Sequence, residues 1–169
     1  MDALPQFTLP LSGLGDGVHE FDFRVNDHFF EAFEASPVKK CSIDVHVILD
    51  KKPDLSVLTF QIAGTLKATC DRCLETFDLP INTTESVFLK IAETESEDPD
   101  VVHIPKGTKT LSIAKMIYEF VILAIPIIKT HDLAEENCDE EMLKYLDQPS
   151  LPAEEDATTT ENPIWDALK

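Results

Sequence analysis

Hydrophobic and polar positions alternate along much of the first half of the chain. Leu58, Phe60, Ile62, Leu66, Ala68 and Cys70 fall on every second position, with Gly64 filling the gap, and Phe77, Leu79, Ile81, Val87, Leu89 and Ile91 repeat the pattern. Period two on both sides predicts two half-buried strands. Between them lies Cys70-Asp71-Arg72-Cys73, in or beside the turn of an antiparallel hairpin around which the remaining elements pack. Cys41, Ile43, Val45, Val47 and Leu49 predict a further strand, handed to the hairpin by a turn over 50–54. Phe21, Phe23 and Val25, alternating with Glu20, Asp22 and Arg24, predict a short strand with one wet face. Gly64 predicts a bend or bulge in the long strand that carries it.

Helical spacing is rarer. Phe29, Phe30 and Phe33 make an apolar stripe behind Asn26 or Asp27 as cap, stopped by Ser36-Pro37. Ile113, Met116, Ile117, Phe120, Val121 and Ala124 predict the main helix, capped by Ser112 and ended by Pro126. Its apolar residues cover more than one stripe, so most of it is expected to be buried against the sheet. Residues 1–17 read as an extended arm, 93–100 as an exposed acidic loop, and Val101, Val102 and Ile104 as a short edge strand. Met142, Leu143 and Leu146 suit a short amphipathic turn; 149–162 reads as a flexible acidic linker, and 163–168 as a last apolar cluster. Strands first and a covering helix late predict an α+β domain. Its sheet is expected to be antiparallel, open to strong curling or closure into a barrel, with one main helix on it and an acidic, partly flexible C-terminal tail. The expected division is 1–130 for the domain with the hairpin and 131–169 for the extension.

Charge sharpens that division. The chain of 169 residues has 32 acidic and 14 basic side chains, a net charge of -18. Residues 131–169 carry 12 acidic and 2 basic groups, so more than half of the imbalance belongs to the last quarter. No apolar run reaches membrane-spanning length uninterrupted, since Lys115 and Glu119 break the greasiest segment. Residues 1–10 lack the basic start and apolar core of a secretory leader. A cytoplasmic protein without a membrane partner is expected, with its four cysteines reduced.

Two thiols separated by two residues can grip one metal ion or each other. A structural zinc site needs four soft or borderline ligands, and His131 and Cys138, just past the main helix, complete a candidate Cys3His set with Cys70 and Cys73. The bland account makes Cys70 a small buried hydrophobe and Cys73 part of a turn. A redox dithiol is the other sharp account, but such motifs open a helix whose amides lower the thiol pKa, and here strands flank the pair. Cys41 lies on the apolar face of its strand and reads as core. His19, His28, His46 and His103 show no spacing that pairs them with a nucleophile or a carboxylate. No Gly-rich phosphate loop, nucleophile elbow or His-Glu-x-x-His is present. The expectation is therefore no enzyme and no small-molecule substrate. Lys67 and Lys90 point outward from the two hairpin strands, and with Arg72 they define a candidate RNA-binding face. The acidic tail suits a basic partner such as a ribosomal protein, or solubility alone.

The order of these features resembles the YceD family of large ribosomal RNA subunit accumulation proteins. The resemblance runs from Cys70-Asp71-Arg72-Cys73-Leu74 through an acidic loop, a helix leading into Ile125-Pro126, and then His131 and Cys138. It ends in Asn162-Pro163-Ile164-Trp165-Asp166-Ala167-Leu168. It implies a small protein of bacteria and chloroplasts needed for normal levels of large-subunit (23S) ribosomal RNA, with no established activity or cofactor. Cys70, Cys73, Pro126 and Cys138 are matched positions. Many relatives carry further cysteines after the position of Cys138, where this chain has none, and their terminal Asp-Pro-Arg is Asn162-Pro163-Ile164 here. The leading expectation is an accessory factor in large-subunit biogenesis that binds pre-ribosomal RNA or a ribosomal protein. The alternatives are a zinc-binding or redox-linked protein, or a protein-interaction module that presents a strand edge.

Overall fold

The computed structural model describes residues 4–91 and 101–146. The expected linker over 149–162, the apolar cluster over 163–168 and the acidic loop over 93–100 lie outside the described residues. Strands β1 (Thr8–Pro10) and β2 (Gly17–Asn26) are followed by the one-turn helix α1 (Asp27–Glu31). Strands β3 (Cys41–Lys51), β4 (Leu55–Thr69), β5 (Thr76–Ile91), β6 (Val101–Ile104) and β7 (Thr110–Ser112) come next, then helices α2 (Ala114–Ala124) and α3 (Glu140–Leu146).

The main sheet has the order β2-β3-β4-β5-β6 and is open, not a barrel. Its first four strands are antiparallel neighbours, as expected. The expectation of a purely antiparallel sheet is corrected at one edge: β6 pairs with β5 in parallel, from Phe88↔Val101 to Ile91↔Ile104. A tight turn cannot make that pairing, because the chain must first travel back to the start of the ladder before running alongside it. Strand periodicity in 101–104 carries no information about direction.

The β4–β5 hairpin is the spine. Its 15- and 16-residue strands are about 50 Å long, and the register runs without a slip from Leu55↔Lys90 to Thr69↔Thr76. Of the bend or bulge expected at Gly64, the bulge is absent. Gly64 sits in unbroken ladders, opposite Ile43 on one side and Ile81 on the other. A Cβ there would collide with the Ser42 carbonyl oxygen and come within 2.6 Å of the Ile43 Cα. The glycine thus permits a close approach of two backbones, with no extra residue inserted.

One face of the sheet is apolar and covered. Ile43, Val45, Val47, Leu58, Phe60, Ile62 and Leu79 are buried there, and α2 contributes Ile117 and Val121; the Phe120 ring meets Phe60 at 5.1 Å. Each fully buried aliphatic contributes roughly 1.5–3 kcal/mol relative to exposure. Ser112 does not cap α2. It pairs with Thr8 in the two-stranded β1–β7 ladder, Ile113 takes the cap position, and the Ile113 amide donates to the Phe7 carbonyl. Of the two expected caps of α1, Asn26 takes the cap position without a side-chain capping bond, and Asp27 instead accepts from the Cys41 amide at 2.8 Å. In both cases a tertiary partner outcompetes the local cap. Phe7, Phe29, Phe33 and Tyr118 join the N-terminal arm, α1 and α2 through ring contacts of 4.8 Å (Phe7–Phe29), 5.3 Å (Phe29–Phe33) and 4.1 Å (Phe33–Tyr118).

Candidate metal centre

At the end of the spine, the chain leaves β4 and returns as β5 through a short knuckle. The Cys70 amide donates to the Glu75 carbonyl at 2.8 Å, and the Leu74 amide to the Cys70 carbonyl at 3.0 Å. Leu74 holds a left-handed conformation, φ 64°, which L-residues adopt at a cost of roughly 1–2 kcal/mol. The Arg72 and Cys73 amides point back at the Cys70 sulfur. Both knuckle sulfurs are buried.

The segment after α2 is stitched onto this knuckle. Pro126 stops the helix and leaves Ile125 extended. The Asp71 amide then donates to the Lys129 carbonyl at 2.7 Å, and the Lys129 amide to the Asp71 carboxylate at 2.6 Å. Those Lys129 contacts hold the Asp71 carboxyl below its ordinary range. Arg72 reaches Asp132 at 3.2 Å. His131 opens a single 3₁₀ turn, His131–Ala134, with its ring buried against Phe77 at 4.7 Å. A left-handed residue, Glu135, and a bond from the Glu136 amide to the His131 carbonyl turn the chain back, bringing Cys138 over the knuckle.

Four candidate ligands named from the sequence therefore converge. One donor atom each from Cys70, Cys73, His131 and Cys138 lies within 4.8 Å of all the others. The Cys70 and Cys138 sulfurs are 3.7 Å apart, and the His131 Nδ1 is 3.4 Å from the Cys73 sulfur and 3.6 Å from the Cys138 sulfur. A tetrahedral zinc site, with bonds of about 2.3 Å to sulfur and 2.0–2.1 Å to nitrogen, has edges of about 3.8 Å between sulfurs and 3.5 Å between sulfur and nitrogen. Three of the six edges match that figure to within about 0.1 Å, the other three lie within 4.8 Å, and the donor set is one that structural zinc uses. All four cysteines are free thiols.

The electrostatics separate the thiols. Burial disfavours the Cys70 thiolate, but the amides of Cys73, Arg72 and His131 and the His131 ring outweigh it and bring the pKa down to about 6. Burial, then the neighbouring Cys70 and Cys73, push Cys138 up to about 11. Crowded sulfurs cannot all ionise unaided, and a dication would relieve that conflict. At neutral pH Cys70 is then already a thiolate while Cys138 still holds a proton. Zinc uptake is expected to release protons, and affinity to rise with pH and fall steeply below about pH 6 as Cys70 is protonated. Acid release in weakly buffered solution on addition of zinc checks this; uptake with no proton released would contradict it.

A family model described as large ribosomal RNA subunit accumulation protein YceD matches residues 58–169. The chain belongs to the YceD family. The match begins within β4 and takes in the hairpin, α2 and all four clustered side chains. No curated protein and no solved structure matches the chain. Among the described residues of this YceD protein, no helix is long and apolar enough to cross a membrane.

The other residues singled out from the sequence do not gather into one place. Lys67 and Lys90 both point away from the covered face of this YceD chain, but Lys67 pairs across the hairpin with Asp78, twelve positions before Lys90 on β5, which separates them by about 40 Å along the strand. Lys67 is ion-paired with Asp78 at 2.9 Å, and Arg72 is turned to Asp132 at the end that carries the Cys3His group. Cys41 is half-buried, and desolvation together with Asp27 pushes its thiol up to about 11, as suits a neutral side chain. Two histidines do find carboxylates, His28 with Glu31 at 2.8 Å and His46 with Asp22 at 2.7 Å. The second pair forms across strands, where linear spacing is blind. Sequence analysis missed Asp71, Lys129 and Asp132, the residues that fasten the knuckle. Their only signal is that each adjoins a candidate ligand or lies within two residues of one.

Proposed function

We propose that this chain is an accessory factor in large ribosomal subunit biogenesis, acting in the cytoplasm by binding pre-ribosomal RNA, a ribosomal protein or both, and not by catalysis. Membership of the YceD family over 58–169 carries the reading. We further infer that Cys70, Cys73, His131 and Cys138 hold one zinc ion, which when bound supplies four fixed bonds and neutralises the thiolates. Protein residues do the rest. The knuckle amides orient the Cys70 sulfur, Phe77 supports the His131 ring, and Asp71 with Lys129 sets the two halves of the site in register.

Sedimentation of a cell lysate tests the assembly role. The chain is expected to migrate with large-subunit precursors and to be released by ribonuclease; migration only with free protein would refute it. Any RNA contact on the hairpin falls to Lys67, Arg72 and Lys90. Reversing all three to Glu is expected to weaken RNA binding at least ten-fold and flatten its salt dependence, whose logarithmic slope should lose about two to three units. Unchanged affinity in the triple variant removes these three residues from consideration. A redox-linked reading has two observations in its favour, the lowered pKa of Cys70 and the 3.7 Å separation of the Cys70 and Cys138 sulfurs. Metal analysis of protein purified under reducing conditions separates the two readings, since bound zinc holds those sulfurs as ligands.

A further inference from the structure

The end of the molecule that carries the Cys3His group also exposes large apolar side chains. Ile127 is 94% exposed, Ile128 70% and Leu74 66%. Leu74 follows Cys73 in the knuckle, and Ile127 and Ile128 lead into Lys129, whose amide and carbonyl are both bonded to Asp71. The exposed side chains on the two segments thus belong to one joint. Pro126 fixes the backbone on one side of the isoleucines and the Asp71–Lys129 bonds fix it on the other, so these residues are held outward. Pre-positioned apolar side chains in a polar surround have the anatomy of an interface core.

Charge selects the occupant. From Asp132 to Glu141 the chain has six acidic residues and no basic one, and Asp132, Glu135, Glu136, Glu140 and Glu141 are exposed. The nearby cations, Arg72 and Lys129, are already paired with Asp132 and Asp71. RNA would meet this rim as a polyanion. A second copy related by a two-fold axis would bring its own acids against it. Residues 147–169, with six acids and one base, would be repelled in the same way. A cationic protein segment with apolar side chains satisfies both features.

We propose that Leu74, Ile127 and Ile128, rimmed by the acids of 132–141, form a docking surface for a lysine- and arginine-rich protein segment whose apolar side chains pack on the isoleucines. This names the partner class for one end of the assembly factor and rests on that reading. The test is calorimetric titration of the full zinc-loaded chain with individually purified basic proteins of the large subunit, at about 0.15 M salt. At least one is expected to bind with a negative heat-capacity change. Ile127→Ser with Ile128→Ser should weaken it about 100-fold or more. Glu135→Lys with Glu136→Lys should weaken it about ten-fold, through slower association that salt masks. Zinc content and unfolding midpoint should stay unchanged in the serine variant, because both isoleucine side chains are exposed and neither takes part in the Cys3His group.

Binding by no member of the panel, or equal binding by the serine variant, overturns the docking surface. So does a dimer of the wild type that the serine variant dissolves, or a shift in Trp165 emission in that variant, which would assign the surface to a second copy or to 147–169. If the chain still sediments with large-subunit precursors in any of these cases, the assembly role survives and only the surface falls. Loss of that sedimentation removes the role itself.

Discussion

Replacing Cys70 and Cys73 by serine, or stripping the protein with a chelator, is expected to release about one equivalent of zinc and lower the unfolding midpoint by roughly 8–16 °C. The magnitude follows from mass action. An ion present at about 1,000 times its dissociation constant stabilises the folded chain by about 4 kcal/mol, against a total of about 5–15 kcal/mol for a typical domain. Stability should not be lost evenly. Phe60, Ile62 and Leu79 pack the sheet without help from the sulfurs. The joint made by 129–138 has few anchors of its own: the Asp71–Lys129 bonds, the Arg72–Asp132 pair and one ring contact at Phe77. Hydrogen exchange at the Lys129 and Glu136 amides should therefore accelerate far more than exchange in β3 or β4. Zinc absent from protein purified under reducing conditions, or exchange at Lys129 indifferent to chelation, would mean the cluster holds no metal. Serine is the informative replacement because it keeps the shape of the knuckle while removing the soft donor.

The second large effect belongs to Gly64. Strand propensity predicts that Gly64→Val stabilises β4, since glycine is among the weakest strand formers and valine among the strongest, a span of about 1 kcal/mol. Packing predicts the opposite, and packing should win. The new Cβ would overlap the Ser42 carbonyl oxygen and sit 2.6 Å from the Ile43 Cα. Both are backbone atoms in the middle of a ladder and cannot move aside as a side-chain end can. Separating β3 from β4 there would strain the pairings on both sides, Ile43↔Gly64 and Gly64↔Ile81. A loss of about 3 kcal/mol or more is expected, with Gly64→Ala losing about 2 kcal/mol. Chemical denaturation of the two variants measures this directly. A valine variant as stable as the wild type would show that β3 and β4 are not in close contact at this point.

Much of the site was legible before the fold. The Cys70-x-x-Cys73 pair between two runs of period two announced a knuckle at the end of a hairpin, and His131 and Cys138 were the natural second pair. Their convergence was not legible. His131 lies 58 residues from Cys73, and Cys138 lies 68 from Cys70. The link depends on Asp71 accepting from Lys129, a contact between two ordinary surface residue types. The hairpin cations were legible as outward-facing, but neither the Lys67–Asp78 pair nor the turning of Arg72 to Asp132 leaves a trace in linear order. Ser112 and Asp27 had good credentials as helix caps, yet each is used by a strand neighbour instead.

The amino-acid sequence by itself determined the alternating strands of the main sheet and which face of each is apolar, where α2 begins and ends to within a residue or two, and which four side chains could ligate a metal. These are properties of neighbouring residues, because backbone geometry repeats every two or 3.6 positions and side chains sort by solvation at that same spacing. Tertiary structure alone decided that β6 runs parallel to β5, that Gly64 lets two backbones close without a bulge, and that donors from two distant segments meet within 4.8 Å. Those outcomes depend on register and on the path of connections, which are set by contacts between residues far apart in the chain. No local period encodes them.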